Sequence, residues 1–152
     1  MLYFNRYLVV IFLVFIFSTG YVVSLSAHCQ IPCGIYTDNM RIEMIQEHLL
    51  TIEKSMNQII DLEKAGLTHH SNQLVRWIMN KDEHADQLQE IVSQYFMTQR
   101  IKLDMENYEK QLGLLHQMLI YSMKCKQTTD LTNTTKLKSI VNDFEALYFK
   151  KK

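Results

Sequence analysis

The feature that most constrains the fold is a helical spacing of apolar residues that continues from residue 38 almost to the end of the chain. Pro32 is the only proline and glycine occurs at four positions, so little in this part of the sequence would break a helix. Apolar residues that recur every three or four positions form one face of an α-helix. The sequence therefore predicts an all-α protein.

Four such apolar faces follow one another along the chain. The first contains Ile42, Ile45, Leu49, Ile52, Met56 and Ile59, and the second contains Leu74, Trp77, Ile78, Ala85, Leu88, Ile91, Val92, Tyr95 and Phe96. The third contains Met105, Tyr108, Leu112, Leu115, Leu119 and Met123, and the fourth contains Leu137, Ile140, Phe144 and Leu147. Short connections between such helices favour an antiparallel up-down-up-down four-helix bundle, which we expect over residues 37–152.

Residues that favour helix ends lie between these faces. Thr37, Asp38 and Asn39 are good N-cap residues, so we expect the first helix to begin there. The segment from Ala65 to Thr68 contains Gly66 and is typical of a C-cap followed by a new helix. We expect Asp104 to cap the third helix, and a polar segment from Lys126 to Thr135 separates it from the fourth.

Residues 1–27 have the order of a secretory signal peptide. Arg6 precedes an apolar run from Tyr7 to Phe17, and the segment ends in small residues up to Ala27, although Leu25 is a less usual residue near a cleavage point. We therefore expect residues 1–27 to be removed during export through the secretory route, to the extracellular space, a periplasm or an organelle lumen. The alternative is an uncleaved membrane anchor, because the stretch from Tyr7 to Val23 has 17 residues, about the shortest length that spans a bilayer.

Charge and cysteine content exclude several classes of function. The chain has 16 basic and 16 acidic residues, so its charge indicates neither a nucleic acid nor an acidic surface as partner. The three cysteines are not the even, dispersed set of a disulfide scaffold. We expect Cys125 to be an unliganded, partly buried thiol near the end of the third helix. Cys29 and Cys33 lie close together and need another explanation.

The segment from His28 to Tyr36, HCQIPCGIY, contains two thiols and an imidazole within six residues, and we call it the hook. Cleavage before His28 would also free its backbone amine. This amine, the Cys29 amide nitrogen and the thiolates of Cys29 and Cys33 could then lie in one plane around a metal ion. The His28 imidazole can reach an axial position. The sequence therefore predicts a metal site in the hook.

The donor chemistry of the hook favours nickel. Pro32 and Gly34 help the backbone turn so that the second sulfur returns to the same centre. Planar nitrogen and sulfur donors select Ni(II) or Cu(II), whereas zinc with thiolates prefers a tetrahedron. Adjacent thiolates would tend to reduce copper. Thiolate and amidate donors also stabilise a higher oxidation state, which predicts a redox role.

These residues resemble the metal hook of the nickel-containing superoxide dismutases, whose pattern is HCxxPCGxY at a processed N-terminus. The matching residues are His28, Cys29, Pro32, Cys33, Gly34 and Tyr36. The segment Arg41-Ile42-Glu43 is similar to the start of the family's first helix. Its second helix is similar to Asn72-Gln73-Leu74-Val75-Arg76-Trp77, Lys81, His84-Ala85 and Gln94-Tyr95-Phe96. The resemblance covers residues 28–126 and extends more weakly to the end.

The resemblance implies a superoxide dismutase that is a homohexamer of four-helix bundles. One superoxide would be oxidised to dioxygen, and a second would be reduced with two protons to hydrogen peroxide. His28 would bind nickel through its amine and imidazole, Cys29 through its amide and sulfur, and Cys33 through its sulfur. Tyr36 and Tyr95 would stand at the access channel, limit what reaches the metal, and hold water or substrate.

The resemblance also implies a supporting network around the axial imidazole. Glu43 would orient that imidazole, a role that metal-bound histidines usually require. The family's arginine in this network has no assigned counterpart here, and Arg76 and His84 are both candidates. Gln30 stands where many members have an aspartate, which removes one carboxylate near the hook. The other departure is the leader, which resembles an export signal instead of a short pro-segment.

Two other functions remain open on the sequence alone. One is a membrane-anchored helical interaction protein that retains its leader and forms a Cys29–Cys33 disulfide turn. The other is a bundle that binds nickel or copper without turnover. The remaining histidines lack the ExxH spacing of di-iron bundles and the HExxH motif, so we interpret them as solvated or packing residues. A membrane contact is expected only through the leader before cleavage.

Overall fold

The computed structural model describes residues 37–66 and 70–150, which lie in one compact unit. The four α-helices are α1 (Asp38–Ala65), α2 (Ser71–Glu90), α3 (Tyr108–Gln127) and α4 (Thr132–Tyr148), and α2 continues directly into a π-helix, Ile91–Arg100. No strand occurs in these two ranges, which confirms the predicted all-α class. The leader and the hook lie outside them, so the predicted segment boundaries there stay predictions.

The helices form an antiparallel bundle. Each helix packs against its neighbour in the chain, and α1 also packs against α4. In three of these four contacts, residue numbers rise along one helix as they fall along the other, which shows that the helices run in opposite directions. The pairs are His48 with His84 and Ser55 with Asn80 for α1 and α2, Lys81 with Lys126 and Gln89 with Leu119 for α2 and α3, and Asp38 with Tyr148 and Gln46 with Glu145 for α1 and α4.

The core is built from the predicted apolar faces of α1, α2 and α4. Every residue of the first face is buried, from Ile42 to Ile59. The second face is buried from Ala85 to Phe96, whereas Ile78, nearer the start of α2, is 38% exposed. Removing a large apolar side chain from water stabilises the fold by about 1.5 to 3 kcal/mol. The inward faces of these helices therefore account for much of the stability.

The prediction for the third helix was wrong in its start and partly right in its face, of which Leu115 is buried and Tyr108 and Leu119 are partly buried against the core. The helix begins at Tyr108 with Asn107 as the N-cap residue, at φ 62°, and Asp104 lies in an exposed turn before it. Asparagine tolerates this left-handed conformation better than most residues, so it ends the preceding turn. The buried residues of α3 are Gln111, Leu115, Met118, Ser122 and Cys125. Because Gln111 and Ser122 are polar, a search for regularly spaced apolar residues could not identify this face.

The predicted ends of α1 are confirmed. The Thr37 side chain accepts a hydrogen bond from the Met40 backbone N–H at 3.4 Å, which caps the first turn. The helix ends at Ala65, and Gly66 has φ 92°, a value that favours glycine. Among the helices within residues 37–66 and 70–150, none is long and apolar enough to cross a bilayer.

Candidate functional site

The N-terminus of α1, which follows the hook in the sequence, takes part in a polar network. Only Thr37 separates Asp38 from the hook, and the Asp38 carboxylate accepts three hydrogen bonds. Tyr95 Oη and Arg100 Nε donate to Oδ1 at 2.6 and 2.8 Å, and Tyr148 Oη donates to Oδ2 at 2.9 Å. We call these four residues the Asp38 cluster. It joins α1, the π-helix and α4 at one end of the bundle.

The π-helix is what brings Arg100 to Tyr95. In an α-helix, with about 3.6 residues per turn, residues five apart lie on different sides. In a π-helix the backbone bonds run between residues five apart, as in the 2.9 Å bond from the Ile101 N–H to the Phe96 carbonyl. The Arg100 guanidinium accordingly lies 4.6 Å from the centroid of the Tyr95 ring, and its Nη2 donates to Tyr95 Oη at 2.8 Å.

The Asp38 cluster shifts the ionisation of its own members. Burial by itself would raise the pKa of Asp38, but the hydrogen bonds from Tyr95, Tyr148 and Arg100 outweigh it and hold that pKa below its ordinary value. Burial, followed by the hydrogen bond to Asp38, raises the pKa of Tyr95 and of Tyr148. At neutral pH the cluster therefore contains an ionised carboxylate, two protonated phenols and a charged guanidinium.

A second guanidinium lies against the same phenol ring. The Cζ atom of Arg41 is 5.1 Å from the Tyr95 centroid, which is within the range of a cation–π contact. Arg41 and Arg100 thus place two positively charged groups against this ring. Because the whole chain carries no net charge, attraction of an anion requires local cations of this kind. Sequence reasoning could not place such cations, and the structure puts two of them beside Tyr95.

Of the site residues predicted from the sequence, the structure describes Tyr95 and Glu43. Tyr95 is only 7% exposed and belongs to the Asp38 cluster. Glu43 is exposed on α1, five residues after Asp38, and its predicted contact with the axial imidazole stays a prediction. The predicted metal ligands His28, Cys29 and Cys33 and the predicted channel residue Tyr36 lie outside the described residues.

Neither candidate for the missing arginine role lies in the Asp38 cluster. Arg76 is exposed near the start of α2, at the opposite end of the bundle from Tyr95. His84 packs against His48, with their Nδ1 atoms 2.9 Å apart. Sequence reasoning missed Arg100, because an α-helical reading places Tyr95 and Arg100 on different faces. Asp38 was recognised only as a capping residue.

The described residues offer no competing metal site. Within residues 37–66 and 70–150, no group of three or more histidine, cysteine or acidic side chains is placed to hold an ion. Cys125 is a free cysteine that is fully buried, not partly buried as predicted, and burial raises the pKa of its thiol to about 11. A thiol that stays protonated at neutral pH is a poor ligand. The hook, whose thiol and nitrogen donors suit nickel, remains the donor set that fits this metal.

The donor-rich hook and the helical bundle that follows it define a small all-α metalloprotein. A sequence model of a family described as nickel-containing superoxide dismutase matches residues 23–152, a range that includes the hook and the whole bundle. The chain belongs to this family, and it is a nickel superoxide dismutase, an oxidoreductase whose cofactor is nickel. Searches of curated proteins and of solved structures each gave no match.

Proposed function

We propose that the chain loses residues 1–27 and then converts superoxide to dioxygen and hydrogen peroxide at the hook. When bound there, nickel supplies one-electron chemistry between Ni(II) and Ni(III). The observation that carries this proposal is the family match, which spans the hook together with all four helices. The absence of another donor cluster within the described residues supports the hook as the place of the chemistry.

The proposed ligands are all residues of the hook. His28 contributes its free amine and its imidazole, Cys29 its amide nitrogen and sulfur, and Cys33 its sulfur. The amine exists only after cleavage before His28, so maturation of the site depends on removal of the leader. Because the leader has the features of an export signal, we propose that the same cleavage accompanies passage through the secretory route.

Tyr36 and Tyr95 are proposed to stand at the access channel, and Glu43 to orient the His28 imidazole. The position of Tyr95 supports its part of this assignment. It contacts Asp38, and Thr37 alone lies between Asp38 and the last residue of the hook. The two guanidinium groups beside Tyr95 would attract the superoxide anion toward this end of the bundle.

We also propose that the protein assembles with further copies of itself, as a homohexamer by family likeness. An exposed apolar patch on α2 supports self-association. Val75, Ile78 and Met79 are spaced as neighbours on one helix face, and they are 53%, 38% and 65% exposed. Light scattering of the purified protein measures the subunit number directly.

The decisive experiment combines the N-terminal mass of the native protein with its nickel content and a superoxide-consumption assay. We expect His28 as the first residue, stoichiometric nickel and rapid consumption of superoxide. A variant with one extra residue before His28 should lose most activity, since the chelating amine becomes an amide. An intact Met1 in fully active protein would contradict the amine ligand. Nickel binding without superoxide consumption would instead indicate a metal-binding protein that does not catalyse the reaction.

A further inference from the structure

We propose that Asp38 is a positioning residue for the dismutase reaction, because its 2.6 Å hydrogen bond with the phenol of Tyr95 fixes the orientation of that side chain. This inference rests on the proposed function, which places Tyr95 at the access channel. Asp38 would not touch superoxide or nickel. It would act through its hydrogen bond to Tyr95 and through Arg100, which contacts them both.

The direction of each hydrogen bond follows from the chemistry of the groups. An ionised carboxylate can only accept, so the proton in the 2.6 Å contact between Tyr95 Oη and Asp38 Oδ1 belongs to Tyr95. Arg100 can only donate, so its Nη2 donates to the oxygen of Tyr95 at 2.8 Å. The single donor of the Tyr95 phenol is therefore committed to Asp38. While this contact lasts, Tyr95 cannot donate a hydrogen bond to an incoming anion.

The surroundings also hold the ring of Tyr95 in place. Arg41 and Arg100 contact the ring, at 5.1 and 4.6 Å from its centroid, and Phe96 packs edge-on against it. Asp38 in turn is fixed by Tyr148 and by its place in the first turn of α1. Rotation of the phenol would break several charge-assisted contacts at once, and these are stronger than neutral hydrogen bonds.

The negative charge of Asp38 makes the phenol of Tyr95 harder to ionise. Among the described residues, the charged groups that contact Tyr95 include Asp38 and Arg41 on α1 and Arg100 on the π-helix, and Tyr148 on α4 reaches it through Asp38. Burial and Asp38 raise the pKa of Tyr95, whereas Arg100 lowers it. Loss of the carboxylate should therefore make Tyr95 easier to ionise. A tyrosinate at the channel would repel superoxide.

The test replaces the charge and keeps the shape, with Asp38→Asn in the processed protein. Ionisation of Tyr95 is followed by carbon NMR of Cζ-labelled tyrosine in nickel-free protein, with Tyr95→Phe used for assignment. The pH profile of kcat/KM is measured in nickel-loaded protein. We expect the Tyr95 titration in Asp38→Asn to move down by about one pH unit, and the alkaline fall in kcat/KM to move in the same direction.

Two further variants keep the proposal falsifiable. Arg100→Gln should move the Tyr95 titration to higher pH, which tests the cluster even if Asp38→Asn fails to fold. Asp143→Asn removes an exposed carboxylate of α4 and should leave both measurements unchanged. An unmoved Tyr95 titration in Asp38→Asn overturns the proposal, as does an equal shift in the Asp143 control. A nickel-loaded wild type that consumes no superoxide overturns the proposed function instead, because the NMR titration does not depend on activity.

Discussion

Lys81 Nζ donates a hydrogen bond at 2.6 Å to the backbone carbonyl of Lys126, although the Lys81 side chain is only 4% exposed. That carbonyl belongs to the last turn of α3, where backbone acceptors lack helical partners and the helix dipole is negative. The buried ammonium therefore caps α3 from the neighbouring helix α2. The Lys126 side chain adds an ion pair with Asp86 at 2.6 Å in the same contact between helices.

We expect Lys81→Met to lower the free energy of unfolding by about 2 kcal/mol, because it removes the charge-assisted hydrogen bond to the part-buried Lys126 carbonyl and the 3.5 Å ion pair with Asp82. Urea unfolding followed by circular dichroism measures the change. Lys138→Met on the exposed face of α4 is the matched control, with an expected effect within about 0.5 kcal/mol. Equal losses in the two variants would show that the cap does not stabilise the bundle.

The hook and the bundle should respond separately to substitution of the hook cysteines. Cys29→Ser or Cys33→Ser should abolish nickel binding and activity while leaving the helices folded, because the buried residues of the four helices and the π-helix already pack into one hydrophobic core. Metal analysis, superoxide consumption and far-ultraviolet circular dichroism give the three readouts. Cys125→Ala is the control and should retain nickel. A large loss of helical signal in either hook variant would contradict this separation.

Two fully buried serines should respond to alanine in opposite directions. Ser122 Oγ has no hydrogen-bond partner among the described residues, whereas Ser55 Oγ donates to the Thr51 carbonyl at 2.8 Å and accepts from Asn80 at 2.9 Å. Ser122→Ala should stabilise by roughly 0.5 to 1 kcal/mol, since alanine favours helix and leaves no polar atom unsatisfied. Ser55→Ala should destabilise by about 1 kcal/mol. Thermal unfolding of both variants measures these changes, and melting temperatures that shift in the same direction would refute the prediction.

Stability should fall with decreasing pH because of His48. Burial, followed by the nearby His84, lowers the pKa of His48 from its ordinary 6.5, although Glu47 opposes this. Below pH 6.5 the unfolded chain then binds a proton more readily than the folded one, so stability falls until the folded-state pKa is passed. His48 is only partly buried, so we expect roughly a few tenths of a kcal/mol per pH unit after solvent screening.

The substitution His48→Asn should remove the contribution of His48 to the pH dependence of stability. Denaturant unfolding at several pH values compares wild type, His48→Asn and the exposed control His116→Asn. The first variant should flatten the slope below pH 6.5, and the control should keep it. An unchanged slope in His48→Asn would assign the pH dependence to other groups.

Local features of the sequence predicted much of the fold. The Thr37 cap, the Gly66 end and the buried face of α1 depend only on neighbouring residues and on helical periodicity, which are visible in the sequence. For α3 the same method gave only part of the buried face, because apolar residues occur at two registers and polar Gln111 and Ser122 occupy the more deeply buried one. Packing against α2 and α4 decides between such registers, and no local pattern contains that information.

Membership of the nickel-containing superoxide dismutase family was determined by the sequence. The predicted ligand chemistry of the hook also comes from the sequence alone, because ligand types and their spacing are written in consecutive residues. The Asp38 cluster was decided only by the tertiary structure. Its members are separated by up to 110 positions, and they meet through antiparallel packing and the π-helical winding between Tyr95 and Arg100. In a π-helix the backbone hydrogen bonds join residues five apart, and this winding makes Tyr95 and Arg100 neighbours. The local sequence pattern predicted an ordinary α-helix here.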